Sequence, residues 1–385
     1  MDWKVPLADL DYDEKETRAV LGVLQSRWLT MGSVTQDFEK AFASFTGARY
    51  ALGVSNATVA LHLACLALGI GPGDEVIVPS LSFVATANAV LYSGADVRFA
   101  DICSPQDLTI SPASIEAQIT PKSKAILVMH YAGFACRMAE IEAIAQQHGL
   151  AIIEDAAHAA GAWLEGKHLG TWGAAGCFSF FSNKNLSTGE GGMLVTDRDD
   201  LAEKARLMRS HGMTSLTWDR HQGHAYSYDV VELGYNYRID EIRSALGLAQ
   251  LEKLRANNAR RGEITQRYWQ AFEGLGVDLP FRVDKREAEP AYHIFPMLLP
   301  ENQDRRAFIE RMRAARIQTS IHYPPIHQFS YYRERYPGVH LAITESVAKR
   351  EVTLPLYPTM SDEQVEMVTT SVKAALVEGK KAVAG

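Results

Sequence analysis

Between Ala51 and Val195 the chain alternates short β-rich runs with helical runs. Parallel neighbours need a crossover, usually a helix, so this alternation predicts a sheet built largely from parallel strands. Strands are expected at Glu75–Pro79 and at residues 97–100, 125–129, 151–154, 176–181 and 193–196. Helices are expected at 57–68 and 137–148, each followed by a glycine, Gly69 and Gly149, suited to a left-handed C-cap.

A long helix is expected over 240–272, where Ile242, Leu246, Leu248 and Leu251 recur at roughly helical spacing. A stretch rich in charge and proline follows at 274–290, then strands at 292–299 and 317–323 around a helix at 304–315. The 385 residues, 47% of them hydrophobic, suffice for two cores. The expected division is a large domain over 1–250 and a smaller C-terminal α/β domain over 251–385.

The formal net charge is -7, and no long basic stripe is present, so nucleic acid is not an expected partner. Cys65, Cys103, Cys136 and Cys177 lie far apart, without CxxC or zinc-like spacing, and read as buried thiols of a reducing cytosol. The first sixteen residues are acidic, and no stretch reaches about 18 consecutive apolar residues. Neither export nor membrane insertion is expected, and the location is expected to be cytoplasmic.

Three stretches carry chemistry. In the run from Ala151 to His158, an apolar strand ends in Glu154 and Asp155 at the edge where open α/β sheets bind ligands. Asp155 there either pairs with a protonated pyridine nitrogen or caps the next helix. In the run from Gly176 to Gly192, a buried strand meets Lys184 and then a glycine-rich turn. Partial burial would lower the ammonium pKa and free an amine able to attack an aldehyde and shuttle a proton; the alternative is a solvated loop lysine. In the run from Val54 to Leu61, a strand turns into a helix whose first amides form an anion site. Ala57 and Thr58 would bind phosphate with Ser179, or Ser55 or Asn56 would only cap the helix. Phe83 is placed to stack on a planar ring or to fill core.

Two patterns mislead. Gly69-Ile-Gly-Pro-Gly73 follows a helix and precedes a strand, the reverse of dinucleotide-binding order. His221 and His224 sit among polar loop residues, so no metal is expected there.

The landmarks also stand in a specific order. Trp28-Leu-Thr-Met-Gly32 precedes the Ser-Asn-Ala-Thr turn, Gly71 to Pro79, and Ser82 to Thr86. Glu154 to His158 and the lysine stretch come next, then Gly234-Tyr-Asn-Tyr-Arg238, His322-Tyr-Pro-Pro325 and Leu354 to Pro358. Together they resemble the DegT/DnrJ/EryC1/StrS family of sugar aminotransferases. The resemblance implies an α/β, fold-type I aminotransferase with a large, mostly parallel sheet domain and a smaller C-terminal α/β domain.

It further implies that pyridoxal 5'-phosphate is held as a Schiff base on Lys184, with Asp155 on the pyridine nitrogen and His158, where many relatives have glutamine, beside the ring. Ala57, Thr58 and Ser179 match the phosphate site, with Asn56-Ala-Thr58 where many relatives carry Ser-Gly-Thr. Asn236 matches a position that reaches the phosphate of the neighbouring subunit, which implies a homodimer with shared active sites. Lys184 stands where dehydratases of the family carry histidine, which favours transamination. The implied donor is an amino acid, usually glutamate, and the acceptor a keto sugar, nucleotide-linked. The alternatives are a cyclitol ketone acceptor or a non-catalytic pyridoxal-phosphate sensor. Met31, Tyr323 and His327 are expected to line the substrate cleft or to pack as core. Arg238 would hold a donor carboxylate or a sugar diphosphate, or close a surface salt bridge.

Overall fold

The computed structural model describes residues 3–214, 227–284 and 286–383; His221 and His224 lie outside them. Helices α1 (Glu14–Ser26) and α2 (Ser33–Thr46) precede β1 (Tyr50–Val54), α3 (Ala57–Ala67), β2 (Glu75–Pro79), α4 (Ala85–Tyr92) and β3 (Asp96–Ala100). The hairpin β4 (Ile102–Ser104) and β5 (Asp107–Ile110) and helix α5 (Pro112–Gln118) lead to β6 (Ser123–Met129), α6 (Met138–His148) and β7 (Ala151–Asp155). Short strands β8 (Trp163–Leu164) and β9 (Lys167–His168) are followed by β10 (Ala175–Ser179), β11 (Gly192–Thr196) and α7 (Asp199–Arg209). The long helix α8 (Glu241–Phe272) then runs to β12 (Ala288–Glu289), β13 (Phe295–Leu298), α9 (Arg305–Ala314), α10 (Ser330–Arg335), α11 (Ala342–Arg350), β14 (Glu351–Leu354) and α12 (Asp362–Val383).

The central sheet has the order β1-β11-β10-β7-β6-β2-β3. Every pairing from β10 to β3 is parallel, while β11 runs antiparallel to β1 and β10. Successive residues of a strand point to opposite faces, so β10 sends Cys177 into one core layer with Leu61 and Val78, and Phe178 into the other with Phe38 and Phe42. Helix α2 lies close to α8 because Gly247 faces the Phe38 ring; a Cβ there would stand 2.4 Å from Cζ of Phe38. Asp240 caps α8 by accepting the Arg243 amide at 2.9 Å.

A third core joins the C-terminal half of α8 to β13, β14 and α12, through Tyr268, Phe272, Met297, Leu354 and Val368. Val5, far away in sequence, belongs to it as well. The amides of Lys4 and Val5 donate to the carbonyl of Arg316, and the amide of Gln318 donates to the carbonyl of Val5.

Two strand expectations are corrected. Residues 317–323 form no regular strand: their pairing is reduced to isolated bridges, Val5 with Ile317 and Ser320 with Thr353, and β13 pairs with β14 instead. Side-chain bonds and Pro324-Pro325 break the run, because the His322 amide donates to Glu351 and neither proline has an amide to give. Strand β10 stops at Ser179 and not at residue 181: the Phe180 amide still reaches Gly191 in register, but the Phe181 amide turns to the Ser179 hydroxyl. Gly69 and Gly149 both take positive φ, 75° and 65°, as their places after α3 and α6 predict. All four cysteines are unpaired. Among the described residues no helix is long and apolar enough to cross a membrane.

Candidate active site

Because β11 is antiparallel to both β1 and β10, those two strands share a direction, which β7, β6 and β2 also follow. Their C-terminal ends therefore share one edge, the usual ligand edge of an open α/β sheet. A cavity of about 620 Å³ opens there, within the size range of small-molecule sites. It brings together Ala57, Thr58, Phe83, Asp155, His158, Ser179, Lys184 and Tyr323, which are scattered over more than 260 positions of sequence.

A larger hollow of about 860 Å³ lies among α1, α2 and α8. Its one buried carboxylate, Glu241, is already engaged, accepting the amides of Gly32, Val34 and Thr35 and the Thr35 hydroxyl at the start of α2. It brings together no nucleophile and free acid, so the smaller cavity is the chemical one.

Asp155 ends β7 and is 4% exposed. Its Oδ2 accepts the Thr86 hydroxyl at 2.7 Å and its Oδ1 accepts the Ala157 amide at 3.1 Å. Because the Thr86 hydroxyl donates its one proton to this bond, it accepts from the Ser82 hydroxyl at 2.5 Å. Burial raises the Asp155 pKa, while these bonds and the charge of Lys184 pull it down. Among the described residues no basic side chain forms an ion pair with it. The next element after β7 is strand β8, so Asp155 has no helix to cap; it holds a turn through the Ala157 amide and keeps acceptor capacity for a cation.

Lys184 follows β10 in a loop that folds back along β11, with the Thr188 amide on Phe180 and the Lys184 amide on Phe181. Burial lowers the ammonium pKa to about 8, and the Asp155 carboxylate acts against that shift. The side chain is half-buried in the cavity wall, where its ammonium form is disfavoured relative to that of a solvated lysine.

His158 is 2% exposed, and burial holds its pKa well below the usual value. The Ala132 amide donates to Nδ1 at 3.3 Å, so the neutral ring carries its proton on Nε2, which donates to the Tyr323 hydroxyl at 2.9 Å. Tyr323 lies 6.0 Å, centroid to centroid, from Phe83, which is 55% exposed at the cavity mouth.

At the start of α3, Asn56 and not Ser55 is the cap, its Oδ1 accepting the Val59 amide at 3.1 Å. The amides of Ala57 and Thr58, with no carbonyl one turn back, remain for an anion. Gly192 of β11 presses on this turn, since a Cβ there would stand 2.6 Å from the Asn56 carbonyl carbon.

Three expected residues lie outside the cavity. Met31 is 7% exposed and does not line it. Asn236 is exposed on a bridge to Ser210. His327 is buried, its Nδ1 meeting Ser80 Oγ at 2.7 Å and its Nε2 meeting Glu345 at 3.2 Å. Conversely, the sequence reading passed over Thr86, Asn183, His293 and His322. Asn183 and His322 line the cavity, and the Asn183 Oδ1 is buried without a partner. The one available signal for His293 was a single histidine inside the apolar run from Ala291 to Leu299.

The cavity fits pyridoxal phosphate. It offers an amine for the aldehyde, a buried carboxylate without an ion-pair partner for the ring nitrogen, open helix amides for the phosphate, and the orphaned Asn183 oxygen. The fold is that of the pyridoxal-phosphate-dependent sugar aminotransferases. The chain belongs to the DegT/DnrJ/EryC1/StrS aminotransferase family, whose model matches residues 10–373. Pyridoxal phosphate is accordingly its cofactor and transamination its reaction class.

The spore coat polysaccharide biosynthesis protein SpsC of Bacillus subtilis is 40% identical over 368 residues, 94% of each chain. PseC of Helicobacter pylori, an aminotransferase involved in the biosynthesis of pseudoaminic acid, superposes with a TM-score of 0.90 at 30% identity, covering 97% of this chain and 99% of its own. The sugar aminotransferase CalS13 of Micromonospora echinospora gives 0.87 at 30% identity, covering 96% and 99%.

Proposed function

We propose that this enzyme moves an amino group from an amino acid, glutamate by our reading, to a keto sugar carried on a nucleotide. The observation that carries the proposal is the meeting of Lys184, Asp155 and the open amides of α3 in one cavity. The sugar and polysaccharide roles of CalS13 and SpsC support the acceptor class.

Bound here, pyridoxal phosphate would supply an electron sink for the charge left when a proton departs the donor's α-carbon. The chain does the rest. Lys184 would hold the aldehyde end of the group, and its amine, when free, would hold and return a proton at the substrate carbon. Asp155 would keep the ring nitrogen protonated, His158, Tyr323 and Phe83 would flank the ring, and Ala57, Thr58 and Ser179 would hold the phosphate.

The working unit in this proposal is a cytoplasmic homodimer, with Asn236 reaching the partner's phosphate. In favour of a covered surface there, Tyr228, Val230, Val231 and Leu233, which lead into Asn236, are all more than half exposed. We place the domain division inside α8 near residue 250, with the first residues of the chain travelling with the C-terminal unit.

The test is to load the purified enzyme with pyridoxal phosphate, convert it with glutamate, and challenge it with nucleotide-linked keto sugars and with cyclitol ketones. Return of the starting absorbance with the nucleotide-linked sugars alone is the expected outcome. Return with cyclitol ketones alone would overturn the acceptor assignment.

A further inference from the structure

Lys184 has a second neighbour besides Asp155. Its Nζ stands 3.4 Å from Nε2 of His293, a residue 4% exposed. The backbone of His293 is pinned from two sides, its amide donating to Ala132 at 2.8 Å and its carbonyl accepting Arg261 of α8 at 3.3 Å.

The tautomer of His293 follows from its other contact. Asn185 Nδ2 donates to Asn258 Oδ1 at 2.7 Å and to the Ala291 carbonyl at 2.6 Å, while Asn258 Nδ2 donates to the Ala160 carbonyl at 2.9 Å. Both amides are thereby locked, and Asn185 presents its oxygen to Nδ1 of His293 at 2.8 Å. An amide oxygen only accepts, so Nδ1 carries the ring proton and Nε2 keeps its lone pair. Burial, together with His158, Lys184, Arg261 and His322 nearby, holds the ring neutral.

We propose that His293, locked by Asn185 and Asn258, is a positioning residue that accepts a hydrogen bond from Lys184 Nζ and thereby aims the lysine's lone pair into the cavity. The inference rests on Lys184 being the cofactor lysine. It explains why the residue next to that lysine is an asparagine whose every polar atom is engaged. It also gives the freed amine a resting place between proton transfers, without any change in the charge of the imidazole.

The first test reads the tautomer in the whole protein by nitrogen NMR with 15N-labelled histidine, the His293 signals being assigned by their loss in His293→Gln. A proton on Nδ1 is expected; a proton on Nε2 overturns the proposal and leaves the role of Lys184 standing. The second test follows acetylation of Lys184 in the apoprotein against pH by mass spectrometry. Groups facing that amine are Asp155, His158, His293 and His322.

Loss of the acceptor in His293→Leu removes a bond that favours the ammonium, so its reactivity midpoint should move to lower pH. In His293→Gln an amide oxygen replaces Nε2, and the midpoint should return toward wild type. In the loaded enzyme kcat should fall about 10²-fold for the leucine variant with KM for the donor little changed, the scale of a misplaced reacting group. Unchanged midpoints in both variants would overturn the proposal. If the leucine variant does not fold, the tautomer measurement on wild type decides alone.

Discussion

Thr86 donates its hydroxyl to Asp155 Oδ2 at 2.7 Å, so the carboxylate that ends β7 is held by a helix two strands away across the sheet. The bond orients the acid without neutralising it, and burial leaves the ionised form costly until a cation arrives. Since its folded pKa is raised above the usual 3.8, the stability Asp155 contributes is fully present below that value and lost as pH rises through the folded pKa. Asp155→Asn should therefore stabilise the apoprotein at pH 7 by about 0.5–2 kcal/mol, an advantage that vanishes in acid, while kcat falls about 10²–10³-fold. Urea unfolding at two pH values and steady-state rates check both halves.

Lys184 gives the opposite sign. Its folded pKa of about 8 lies below the usual 10.5, so between those values the unfolded chain binds the extra proton and stability rises with pH. Lys184→Met apoprotein should be more stable than wild type at pH 7, and the difference should shrink as pH climbs from about 8 to 10.5. Turnover should be lost by at least about 10²–10⁴-fold. Thermal unfolding across that pH range is the measurement.

Gly192 is a steric prediction. A Cβ at this position would lie 2.8 Å from the Ala57 nitrogen and must push the start of α3 away from its place. Gly192→Ala should cost about 1–3 kcal/mol of stability and weaken pyridoxal phosphate binding at least about tenfold, read by fluorescence titration of the apoprotein. Unbound pyridoxal, which lacks the phosphate, should discriminate between the two proteins far less.

The proposed sharing of sites between subunits predicts complementation. Lys184→Ala and a variant disrupted at Asn236 should each be inactive, and mixing them under conditions of subunit exchange should restore activity in hybrid dimers that hold one intact site. No recovery, with exchange verified by mass, would place Asn236 outside the partner's site.

The sheet and the long helix were legible because their signals are local: period, caps and bounding glycines mark β2, β6, β7 and α8 nearly to the residue. Ile317 to Tyr323 has strand composition yet forms only bridges, because its partners, Val5 and Thr353, are chosen by tertiary packing and the His322 amide goes to the Glu351 side chain. The cavity residues Lys184 and Asp155 stood out as charge at the ends of apolar strands. His327 was ambiguous because a histidine after a Pro-Pro turn reads the same whether it faces a substrate or Glu345. His293 was hidden for the converse reason. Its partner Asn185 is 108 positions away, and only folding brings the imidazole to the lysine.

The account stands most directly on one absorbance measurement. Purified protein loaded with pyridoxal phosphate is scanned before and after addition of glutamate, without any acceptor, in wild type and in Lys184→Ala. The account predicts a visible band of the lysine-bound cofactor in wild type that glutamate discharges to the aminated form, and no such band in the variant. A wild-type protein that shows no band, or one that no amino donor discharges, would contradict it.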